Sequence, residues 1–130
     1  MNQEFYDIID FICEKDARYR PDAYSFVLEA LSFAQKRFHC LKHVTGDQLL
    51  EGIRELLLHR FGPMTMMVLK HWGIQTTEDF GNVVFNLVQN KLLSKTQEDN
   101  IKSFKNRYDF EKVFDHSYRV QLAQRISRMR

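Results

Sequence analysis

Apolar residues recur at steps of three and four along most of the chain, and the runs break at Gly, Pro and Thr. That period marks helices with one buried face. Phe5, Ile8, Ile9 and Ile12 predict a first helix over Gln3–Glu14. After the polar stretch Lys15–Arg20, Pro21 stands where its fixed φ suits a first helical residue, and a second helix is expected over Pro21–Phe38. Tyr24, Val27, Leu28, Leu31 and Ala34 or Gln35 form its stripe, and Phe26, Ala30 and Phe33 widen it. A helix apolar around so much of its circumference belongs at the centre of a fold.

Thr45-Gly46-Asp47-Gln48 fits a capping box, in which the Thr hydroxyl and the Gln amide satisfy two unpaired backbone N–H groups. Leu49, Leu50, Ile53, Leu56 and Leu57 continue that third helix to about Phe61-Gly62. Pro63 then opens a fourth over Pro63–Trp72, closed by Gly73. Thr76 or Thr77 caps a fifth over Thr77–Asn90, with Glu78 and Asp79 favourably placed against its dipole. Its buried stripe is Phe80, Val83, Val84, Leu87 and Val88. Beyond Leu92-Leu93 the period weakens. Ser94–Lys105 reads as a small hairpin with its tip at Gln97–Asn100, or as a capped helical turn from Thr96. Aromatics return at Phe104, Tyr108, Phe110, Phe114 and Tyr118, and a basic tail at 119–130, helical or frayed, ends the chain. The expected fold is mainly α: one domain over 1–130, a compact bundle of five to six helices. A winged-helix-like part would include a hairpin near 92–105.

Composition narrows the class. With 44% hydrophobic and 28% charged residues in 130, the chain has the balance of a globular domain able to bury a core. Two Pro and five Gly are too few for a many-turned β sandwich. The acidic first ten residues lack the pattern of a signal peptide, and no apolar run reaches the roughly 18 residues that span a bilayer. A cytoplasmic protein with Cys13 and Cys40 as reduced thiols is expected. The net charge of +2 conceals a gradient: residues 1–34 carry −4, residues 35–90 carry +1 and residues 91–130 carry +5. Such polarity suits a basic end that meets a partner, or an acidic helix folded against it.

Candidate chemistry is sparse. His39, Cys40 and His43, with His59 as a fourth donor, have the ligand types of a zinc site, but no second close pair such as CxxC accompanies them. The competing reading is a helix end at which His and Lys complement the dipole. Neither thiol has an orienting residue visible at catalytic spacing, and no GxSxG, P-loop, dinucleotide-binding glycine pattern or HExxH occurs. Asp7, Asp10 and Glu14 line one side of the first helix, the arrangement of a solvated face. No catalytic residue, metal or cofactor is expected. Met64, Met66 and Met67 surround one helix, so at least one must face outward, and thioethers suit adaptable binding surfaces.

HWGIQTTEDFGNVVFNLVQNKLLSK, residues 71–95, has the outline of a helix-turn-helix leading into a basic wing. The second helix offers Asn82, Asn86, Gln89 and Asn90, whose amides could read adenine, but its first turn presents Glu78 and Asp79, which repel phosphates. The basic residues, Lys91, Lys95, Lys102, Lys105 and Arg107, lie where a wing would be, with Arg119, Arg125, Arg128 and Arg130 further on.

HVTGDQLLEGIRELLLHRFGPMTMMVLKHWGIQTTEDFGNVVFNLVQNKLLSKTQED, with YDF at 108–110 and RYRPDAYSFVLEAL upstream, resembles a small uncharacterised bacterial protein family. Its members are short stand-alone proteins, notably of planctomycetes and verrucomicrobia. The likeness spans about residues 5–118, implies a bacterial cytosolic setting, and carries no activity or ligand residues.

The expectation from sequence is a non-enzymatic helical module that binds another macromolecule, a protein first and nucleic acid as the alternative, with no membrane role. His71 and Trp72 are the candidate partner contacts, the latter only if it escapes the core. Lys91, Lys95, Lys102, Lys105 and Arg107 are the candidate phosphate contacts.

Overall fold

In the computed structural model of the chain, residues 3–40, 43–93, 104 and 107–116 are described, together with 124, 126 and 128. Five α-helices follow in order: α1 (Gln3–Lys15), α2 (Pro21–Arg37), α3 (Gly46–Phe61), α4 (Thr65–Trp72) and α5 (Thr77–Gln89). A 3-10 turn, Gly62–Met64, leads into α4, and a π-helical turn spans Glu111–His116. The protein is a mainly helical bundle, and no strand occurs among the described residues. Of the hairpin expected near 92–105, residues 94–103 and 105 lie outside the described residues, and Lys95, Lys102 and Lys105 with them.

Helix α2 is the axis of the bundle and packs against α1, α3, α4 and α5. Its Ala23, Tyr24, Phe26, Val27, Ala30 and Ala34 are buried, whereas Leu28, Leu31 and Phe33 reach only half-burial. Small Ala30 and Ala34 meet Gly52 of α3, where a Cβ would come within 2.8 Å of the Ala34 Cβ. The two backbones therefore approach closely along that line. The core extends from Ile9 and Ile12 of α1 through Ile53 and Leu57 of α3 to Phe80, Val83 and Leu87 of α5.

The starts of α3 and α5 follow the sequence signals, whereas the helix expected from Pro63 begins at Thr65, with Pro63 in the 3-10 turn before it. Thr45 and Gln48 form the expected capping box, with Gln48 N–H donating to the Thr45 Oγ1 at 3.1 Å and Thr45 N–H to the Gln48 Oε1 at 3.0 Å. At α5, Thr76 is the N-cap and Thr77 is a fully buried first residue with a different task. The Thr77 hydroxyl donates to the Phe104 carbonyl and accepts from the Arg107 N–H at 3.0 Å. That bond pair pins the returning segment to the start of α5. Tyr108 adds a third point, its hydroxyl donating to the Leu50 carbonyl of α3 at 2.9 Å. The segment is sealed by a run of rings, Phe80–Phe110, Tyr108–Phe110 and Phe110–Phe114, with centroids 5.4–5.9 Å apart.

Three helices end in the same way. Beyond α2, α4 and α5 one residue turns left-handed: His39 at φ 55°, Gly73 at φ 85° and Lys91 at φ 62°. In each the next N–H bonds back five residues, Cys40 to Gln35, Ile74 to Leu69 and Leu92 to Leu87, all at 2.9 Å. This is the Schellman closure that usually falls to glycine. Only α4 uses one.

Candidate functional site

Helix α4 is short, and its composition decides what it can do. Thr65, Leu69 and Trp72 face inward, and the Thr65 hydroxyl donates to the carbonyls of Leu57 and Gly62. The opposite side is left to Met67, 66% exposed, with Lys70 and His71 beside it at steps of three and four. Met64, 54% exposed, extends that side from the preceding turn. Met66 is half-buried, so the outward methionines are Met64 and Met67.

A groove lies on each side of this ridge. The first, of about 560 Å³, runs between α2 and α4 over a floor of Phe26, Phe61, Val68 and Trp72. Its three rings form a triad: Phe26–Trp72 centroids are 5.1 Å apart, Phe61–Trp72 5.8 Å and nearly perpendicular, Phe26–Phe61 6.2 Å. Asp22, Glu29, Arg60 and His71 rim it. Arg60 bonds Glu29 at 2.7 Å across the mouth while its guanidinium covers the Phe26 ring. The second groove, about 610 Å³, passes between α4 and the returning segment and is lined by Met66, Leu69, Ile74 and Phe110, with Lys70 at its edge. Met67 lines both grooves.

The two residues singled out on this helix therefore separate. His71 is exposed at the rim, but Trp72 is only 5% exposed and contributes its ring to the groove floor. Core burial wins because Trp72 closes both the aromatic triad and the helix end, its carbonyl accepting from Arg20 N–H at 3.1 Å. The Phe61 contribution went unnoticed in the sequence, where it reads only as the last apolar residue of a helix.

Of the wing candidates, Lys91 and Arg107 lie among the described residues. Lys91 is exposed at the end of α5, where its left-handed backbone serves the helix closure. Arg107 lies beside Thr77 and pairs with Asp47 of α3 at 3.3 Å.

Two of the α5 amides, Asn82 and Asn86, are committed to other segments. Asn82 Nδ2 donates to the Tyr19 hydroxyl at 3.0 Å, and Asn86 Nδ2 donates to Asp16 Oδ2 and to the Tyr24 hydroxyl, each at 3.0 Å. Tyr19 in turn donates to Asp79 at 2.5 Å, and the other Asp79 oxygen accepts from the N–H groups of Gln75 and Thr76. Arg18 forks onto both Asp16 oxygens at 2.9 and 2.7 Å. Asn82 and Asn86 thus give donors to the 16–24 stretch. Asp79, expected only as a dipole partner, is a hub of the same network. Among the described residues, no buried side-chain nitrogen or oxygen lacks a partner.

Electrostatics agree with a structural role for this network. Hydrogen bonds from Arg18, aided by Asn86, hold the Asp16 carboxyl far below its ordinary value of 3.8 against the cost of its burial. Burial pushes the Tyr24 hydroxyl up to about 12, and burial with the Asp79 bond pushes Tyr19 higher still. A carboxyl whose pKa is depressed on folding contributes stability that is complete above its unfolded value and is lost as pH falls below it. Chemical denaturation is therefore expected to show stability falling as pH drops below 3.8. Asp16→Asn should be less stable at neutral pH and shallower in that acid limb. An unchanged acid limb in Asp16→Asn would remove this carboxyl from the account.

The remaining candidates do not assemble. His39, Cys40, His43 and His59 do not meet as a metal site, and among the described residues no three His, Cys, Asp or Glu side chains do. The Cys40 thiol lies 3.5 Å from Gln48 Oε1, within the cap of α3. Cys13 points its thiol at the Tyr19 carbonyl, and burial raises its pKa, the opposite of what an activated nucleophile needs. Among the described residues no helix is long and apolar enough to cross a membrane.

Fold and site together define a small helical bundle that displays a methionine ridge between two apolar grooves. Comparison of the chain with protein-family models, with curated proteins and with solved structures found no match.

Proposed function

We propose that the protein is a non-enzymatic binding module that docks another protein on the α4 face. The observation that carries this reading is Met67, two-thirds exposed on a helix whose flanks are both open apolar grooves. An exposed thioether costs little to rearrange and adapts to the surface it meets. The aromatic floor of Phe26, Phe61 and Trp72 supplies depth for an inserted apolar side chain. The rim, with Asp22 and Glu29 facing Arg60 and His71, supplies polar edges of both signs that fix register. The bacterial, cytoplasmic setting implied by the family resemblance is part of the same proposal.

The test uses an exposed position, so that binding and folding separate. Met67→Glu should keep the circular dichroism and melting temperature of the parent while weakening capture of its protein partner about tenfold or more. Equal capture by parent and variant would sink the assignment of this face. Nucleic-acid binding is measured in parallel by fluorescence anisotropy at two salt concentrations. Tight binding that weakens steeply with salt and loses slope on Lys91→Ala would favour the alternative, a winged-helix-like regulator that contacts phosphates through its 91–107 segment.

A further inference from the structure

We infer that the α4 face is covered in solution by α1 of a second copy of this chain, and reciprocally, so that the protein forms a two-fold dimer. The inference rests on the reading of α4 as a docking face and names its occupant.

The apolar surface left outside is not spread evenly. Of the six large hydrophobic side chains exposed among the described residues, Tyr6 and Phe11 belong to α1, and Met64 and Met67 to α4 and the turn before it. The two helices that carry them differ in charge. On α1, Asp7, Asp10 and Glu14 recur at steps of three and four, an acidic stripe flanked by the half-exposed rings of Tyr6 and Phe11. Residues 62–77, which hold the whole of α4, contain no acidic residue, and the exposed neighbours of Met67 on its own helix are Lys70 and His71. Across the first groove Glu29 is paired with Arg60 and Asp22 stands at the rim, whereas the second groove is lined by Lys70 and no acid. An α1 helix laid along α4 would therefore set carboxylates against Lys70 and His71 while an aromatic ring meets the Met67 thioether. Oppositely charged patches around apolar anchors favour each other over like-charged alternatives.

Within one copy the two surfaces are linked. α1 runs into the 16–20 turn, which seats against the end of α4 through the Arg20–Trp72 bond and the close approach of Arg18 to Gly73. Reciprocal exchange of one pair of surfaces between two copies closes on itself and leaves neither unpaired. A one-way contact would instead build rings or open filaments.

Sedimentation velocity of the full chain over a concentration series reads this directly. The expected result is a monomer–dimer equilibrium that weakens with salt. Met67→Glu and Asp10→Lys, on different helices and both at exposed positions, should each raise the dimer dissociation constant about tenfold or more. Combining Asp10→Lys with Lys70→Asp should recover part of the loss. A monomer at the highest concentration the chain tolerates overturns the inference, and so does a dimer indifferent to both single changes. A monomer that still captures another protein through Met67 overturns only the dimer and leaves the docking reading standing. A monomer without Met67-dependent capture ends both.

Discussion

Gly73→Ala is expected to destabilise the protein by about 4 kcal/mol and to lower its melting temperature by roughly 15 °C. Two costs combine at this position. Gly73 holds φ at 85°, where a side chain adds strain of roughly 1–3 kcal/mol. The larger cost is steric. A Cβ there would stand 2.1 Å from the Arg18 carbonyl oxygen, which is backbone and cannot swing aside. Relief requires the 16–20 turn to lift, and that turn holds the Arg20–Trp72 bond and the Asp16–Arg18–Asn86 contacts. Stability of a domain this size is of order 10 kcal/mol, so the loss is a large share of the whole. A melting temperature within a few degrees of the parent's would show that the turn does not bear on α4 as described. The neighbouring change Gln75→Ala, at an exposed side chain, should be nearly silent.

The same position shows why some features were legible in the sequence and others were not. Gly73 after an apolar-periodic run announces a helix end, as Pro21 and the Thr45/Gln48 box announce starts, because each residue type suits few other backbone states. His39 and Lys91 close α2 and α5 by the same left-handed geometry, yet neither residue type signals it. The period also located the buried stripes, since burial on a helix repeats every three to four residues. It could not say what faces the other side. Asn82 and Asn86 sit where a solvated or base-reading face was expected, and they are taken up by Tyr19, Asp16 and Tyr24, 62 to 70 residues away in sequence. Nothing local encodes a pairing over that distance.

The binding face was legible in the same partial manner. Three methionines around one helix require that some point outward, and Met64 and Met67 do. The grooves beside them were invisible, because each is built from segments far apart: Phe26, Phe61 and Trp72 for one, Leu69 and Phe110 for the other. Trp72 drew notice as an interface anchor and serves one step back, as floor rather than as contact.

Asn86→Leu should destabilise the protein by about 2–3 kcal/mol, well beyond what an ordinary polar surface change costs. Leucine nearly matches the shape but donates nothing. The Tyr24 hydroxyl, on a fully buried residue, loses its amide partner, and Asp16 loses one donor while keeping the Arg18 fork. Most of the cost is the stranded hydroxyl, so removing it should return part of the loss. The double variant Asn86→Leu/Tyr24→Phe is therefore expected to be about 1 kcal/mol more stable than the sum of the single changes predicts. Additive losses would mean that the hydroxyl finds another partner. The same variants test whether the Asn86 amide is a strut or a base-reading group. If Asn86 is a strut, Asn86→Leu lowers the melting temperature but, below it, leaves Met67-dependent capture intact. If instead stability held while affinity for nucleic acid fell, the amide would be a reading group after all. The bonds to Asp16 and Tyr24 would then have to open for α5 to reach a base.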